Sequence, residues 1–164
     1  MKASQSSYGV ITLNAVELIR QRFAPVEAWR RAVAGKEKGC TKSAFLGLCQ
    51  FGWVKDVPAG EYLSTRALAG PNKDYTIRAA QFLLAEPDAE YTPQALWALS
   101  IADYSQPPAN HIQLMNVVLA LKEADGALFL GFGNGHFFHD DGNLRVNRDV
   151  HEALNFRDLL GRHF

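Results

Sequence analysis

The sequence predicts an all-α domain of about seven helices closed by a small C-terminal β-hairpin, and three features of its 164 residues carry that expectation. Apolar residues recur every three or four positions in successive segments, the spacing of one buried helix face. Proline, glycine, serine and threonine fall between those segments, where helix starts and stops need them. From about Gly126 onward the pattern changes to alternating glycines and an Asp-Asp-Gly-Asn run, which suits a ribbon and its turn better than a helix.

In chain order, Tyr8 to Arg22 sets Ile11, Ala15, Leu18 and Ile19 at helical spacing, with Ser6 or Ser7 as the cap. Pro25 fits the first position of a second helix, since its missing N–H would be unpaired there. Ala28, Trp29, Ala32 and Val33 form that helix's stripe, and Gly35 ends it. A third helix is expected from near Thr41, with Phe45, Leu48 and Cys49 inward and Gly52 at its left-handed end. Trp53 to Pro71 holds Pro58, Gly60, Gly70 and Pro71 and reads as a loop over the core. Tyr75, Ala79, Phe82 and Leu83 mark a helix over 74–84. Thr92-Pro93 starts another, containing Leu96, Trp97 and Leu99. After Pro107-Pro108, Ile112 to Leu121 is apolar nearly all round and reads as a largely buried helix. The hairpin is expected on either side of Asp140-Asp141-Gly142-Asn143, and Val150, Leu154 and Leu160 close the chain near helical spacing. Length and composition suit one globular domain over residues 1–164, with 126–164 as a candidate extension.

Seventeen basic and seventeen acidic residues cancel, so the whole-molecule field offers no general attraction for nucleic acid or an anionic membrane. Locally the charge is uneven. From Arg20 to Lys42 seven basic residues face only Glu27 and Glu37, whereas from Ala79 to Leu121 there is no Lys or Arg and four acids. Cys40 and Cys49 lie nine residues apart on one expected helix, about 13 Å along its axis, beyond the roughly 6 Å that a disulfide spans. Free thiols, a polar start and no long apolar run make a reducing cytoplasm the expected home and a membrane not a partner.

The most pointed chemistry lies at Lys38-Gly39-Cys40-Thr41-Lys42. A helix starting there points its positive end at Cys40 between two lysines, which favours a thiolate. The same free N–H groups would hold a phosphate or carboxylate, with Lys38, Lys42, Arg30 and Arg31 as candidate counter-charges. A nucleophilic Cys40 needs a base, and His111, just before the buried helix, is the candidate. His136, His139 and Asp141 are the candidate metal ligands, at a spacing that matches no firm zinc pattern. No motif names a cofactor. The two helices around Gly35 resemble a helix-turn-helix in outline, but the segment from Thr41 to Phe51 offers only Lys42 and Gln50 as long polar reach and reads as core.

The segment Lys-Gly-Cys-x-Lys-x-Ala-Phe-Leu-Gly-Leu-Cys, here residues 38–49, resembles a group of short bacterial proteins that share a domain of unknown function. The likeness extends to Tyr8-Gly9, to Ala15-Val16-Glu17-Leu18-Ile19, and to His111 with Val117 to Leu121, covering roughly the first 125 residues. It implies a bacterial, cytosolic helical domain and transfers no catalytic residue.

The favoured expectation is a non-enzymatic binding or regulatory module with an anion site at the helix start around Cys40. The alternatives are a small thiol-dependent enzyme using Cys40 and His111, and a protein interaction partner of immunity or adaptor type.

Overall fold

The structure, a computed structural model, describes residues 1–124 and, beyond them, only the backbone of Phe137–Asp140 and Asn143–Val146. Seven α-helices lie among the described residues: α1 (Ser7–Arg20), α2 (Pro25–Val33), α3 (Gly39–Gln50), α4 (Thr65–Ala69), α5 (Asn72–Ala85), α6 (Pro93–Ser100) and α7 (Ile112–Glu123). A 3₁₀ turn, Ala3–Gln5, precedes them, and the body over residues 1–124 is all-helical. The turn of the expected C-terminal hairpin, the helix expected near 149–160, and the side chains of His136, His139 and Asp141 lie outside the described residues.

Helix ends fall where local chemistry places them. Ser6, Ser64 and Thr92 accept hydrogen bonds from the N–H of Gly9, Ala67 and Ala95, capping α1, α4 and α6. Pro25 and Pro93 open α2 and α6. Asn110 Oδ1 accepts the Ile112 N–H at 3.1 Å and so caps α7 from one residue before His111. Ala34 and Gly35 turn left-handed after α2, and Gly52 does so after α3, where the Trp53 N–H closes back on the Leu48 carbonyl at 2.8 Å.

Two details differ from the sequence expectation. Helix α3 begins at Gly39, because Lys38 is extended and its carbonyl already accepts the Lys42 N–H. The expected loop of 53–71 contains α4, a five-residue helix with no buried residue and therefore no apolar stripe to betray it.

Helix α7 organises the body. Leu114, Met115, Val117, Val118, Ala120 and Leu121 are fully buried, and α1, α3, α5 and α6 all touch it. Trp29 of α2 stacks on Phe45 of α3, ring centroids 5.0 Å apart, and Trp53 and Trp97 are buried as well. The buried hydroxyls of Thr12, Thr41, Thr76 and Ser100 each donate to a carbonyl three or four residues back, so none costs an unpaired polar group. The N-terminal turn is tied to the end of α7, where the Glu123 carboxylate accepts the N–H of Ala3 and Ser4 at 3.0 and 2.8 Å.

Candidate functional site

Helix α3 starts without the devices that start the other helices. No side chain caps it, its first turn holds no acid, and the N–H groups of Gly39, Cys40 and Thr41 precede the first intrahelical bond. Lys38 and Lys42 instead set positive charge at the positive end of the helix dipole, the unfavourable arrangement. Such local conflict is tolerated where function asks for it.

A cleft of about 650 Å³ opens beside this helix start. Gly39, Lys42, Ser43 and Leu46 form one wall; Tyr62, Leu63, Ser64, Arg66 and Ala67 form the facing one. Val26 of α2, Gly70 just before α5 and Asn72 at its start complete the lining. The facing wall is held by Gln50 at the end of α3, whose Oε1 accepts the N–H of both Tyr62 and Leu63 at 2.9 Å. Tyr62 in turn donates its hydroxyl to the Pro58 carbonyl. The long polar side chain that a DNA-reading helix would have offered at Gln50 is thus engaged within the fold. Close packing fixes α3 against α5, since a Cβ on Gly47 would stand 2.7 Å from the Lys73 Cβ on α5.

The charges of the cleft are unequal in their commitments. Lys42 Nζ pairs with Glu37 at 3.0 Å, both half-exposed. Arg66 is exposed and makes no ion pair or side-chain hydrogen bond among the described residues. Of the other expected counter-charges, Arg30 and Arg31 both donate to the Glu27 carboxylate, at 2.6 to 2.8 Å, and Arg31 also covers the Phe23 ring. Hydrogen bonds from Arg30 and then Arg31 hold the Glu27 carboxyl down at about 2. Neither arginine lines the cleft, and Lys38 stands exposed at the cap without lining it. Lys42 is the one expected residue that does; Ser43 follows it on the same helix, whereas Arg66 and the 62–64 strap carry no helical periodicity or motif, and only the fold brings them there.

The two candidate catalytic residues are not joined. Cys40 is half-buried in the first turn of α3 and packs against the core. His111 stands edge-on to Trp97 of α6, ring centroids 5.9 Å apart, and no hydrogen bond links it to Cys40. Cys49 is fully buried, and burial pushes its thiol far up. Among the described residues no group of His, Cys, Asp and Glu is placed to hold a metal ion, and no helix is long and apolar enough to cross a membrane.

Gly39 of the uncapped helix start, the Lys42 ammonium, the Arg66 guanidinium and the hydroxyl residues Ser43 and Ser64 line one cleft, a donor set of the kind that suits an anion. One family's model, described as a family of unknown function (DUF6979), matches residues 5–127. No curated protein and no solved structure matches the chain.

Proposed function

The chain belongs to DUF6979, a family of unknown function, and within it we propose that this member is a non-enzymatic binding module whose cleft beside α3 takes a small anion. The observation that supports the reading is a cleft along α3 that holds Lys42 and Arg66 together with Gly39 of the uncapped, acid-free helix start. An anion there would meet both cations and offset the unfavourable lysine placement at the helix start. A bacterial, cytoplasmic setting belongs to the same reading, supported by the two free thiols, as does a single domain over 1–164 with 126–164 as an extension bearing the C-terminal hairpin.

Equilibrium titration of the full chain with inorganic phosphate tests it. Exposed cations and one helix end contribute modestly, so a Kd on the order of 1 mM is expected at low salt. Arg66→Ala should weaken binding about five- to tenfold. Glu37→Gln, which releases Lys42 from its partner, should tighten it roughly two- to fivefold. Arg30→Ala, altering an arginine that faces Glu27, should leave it unchanged. Absence of saturable binding, or the same loss from Arg30→Ala as from Arg66→Ala, contradicts the proposal.

A further inference from the structure

Resting on that anion-binding reading, we infer that the ligand is an amphipathic organic anion, with a phosphate or carboxylate head at Lys42 and Arg66 and an apolar, ring-sized body in the same cleft. About 650 Å³ is far more than an inorganic anion fills and lies within the roughly 300 to 1,000 Å³ of small-molecule sites. The remaining lining is largely apolar. Leu63, Ala67 and Tyr62 line the space part-exposed, Leu46 lines it almost fully buried, and Val26 stands exposed beside them. Apolar surface held open to water beside a cationic end matches a ligand that carries both characters, because the body removes that surface from water while the head meets the charges. The wall is also anchored: Gln50 fixes Tyr62 and Leu63 to α3, so the apolar side is formed before a ligand arrives.

Three probes separate the two levels of the account: inorganic phosphate, 1-naphthyl phosphate and 1-naphthol, each titrated into the full chain. The inference expects naphthyl phosphate to bind at least about tenfold more tightly than inorganic phosphate, and naphthol far more weakly than naphthyl phosphate. Val26→Ser, an exposed position whose change spares the core, should weaken naphthyl phosphate about threefold or more and leave inorganic phosphate unchanged. Leu63→Ser gives the same contrast from the opposite wall, and Arg66→Ala weakens both phosphates. Equal affinity for the two phosphates overturns the inference and leaves the anion site standing. Naphthol binding as tightly as naphthyl phosphate overturns it as well, and no binding of either phosphate overturns both levels.

Discussion

At the scale of single residues, two groups report the electrostatics of the first third of the chain. Glu27 is held at about 2, below its ordinary 4.5, by the guanidinium groups of Arg30 and Arg31. A carboxyl depressed by folding contributes stability that is present above its unfolded value and is lost as pH falls through the folded one. Wild type should therefore lose stability between about pH 4.5 and pH 2 that Glu27→Gln never had, and denaturant midpoints of the two should converge across that window. Because the three side chains are solvent-exposed, the difference should shrink with added salt. The thiols give the second report. Cys40 is half-buried and Cys49 is fully buried with its thiol pushed up, so alkylation of the native protein should label one cysteine promptly and the second only on unfolding. Prompt labelling of both would contradict the packing of α3.

At the scale of elements, the legible parts are those where one signal decides. Helices α1, α2 and α6 announce themselves by stripes bounded by Ser6, Pro25, Gly35, Thr92 and Pro93, and α5 and α7 by their stripes alone, each lying close to where it is expected. Helix α4 has five residues and no buried one, so no periodicity marks it, although Ser64 sits at its cap. The cleft was half legible: the lysine-flanked helix start was readable, whereas Arg66 and the Gln50-held strap depend on a crossing that no local pattern encodes. The distinctive segment of residues 38–49 divides in two on the structure. Its first turn lines the cleft at Gly39 and Lys42, while Ala44, Phe45, Leu48 and Cys49 are core and Gly47 permits close approach to α5. Gly47→Ala should lower stability by about 1 to 3 kcal/mol in urea unfolding, since its Cβ meets the Lys73 Cβ and α-carbon rather than a mobile tip. A neutral or stabilising result would show that α3 and α5 sit farther apart.

At the scale of the whole molecule, a neutral chain is divided by its fold into a buried centre, α7, and a set of surrounding helices whose junctions make the surface features. The cleft sits at one such junction, shared by α2, α3, α4 and the start of α5, so it exists only when the body is assembled. The central claim is that this junction, and not the arginine face of α2, receives an anion. The most direct test follows backbone amide NMR shifts of the full chain during a phosphate titration. The account predicts saturable shifts at Gly39, Cys40, Thr41, Lys42, Ser43 and Arg66, with α2 around Arg30 and Arg31 unmoved. Saturable shifts centred on Arg30 and Arg31, or none at the start of α3, would contradict it.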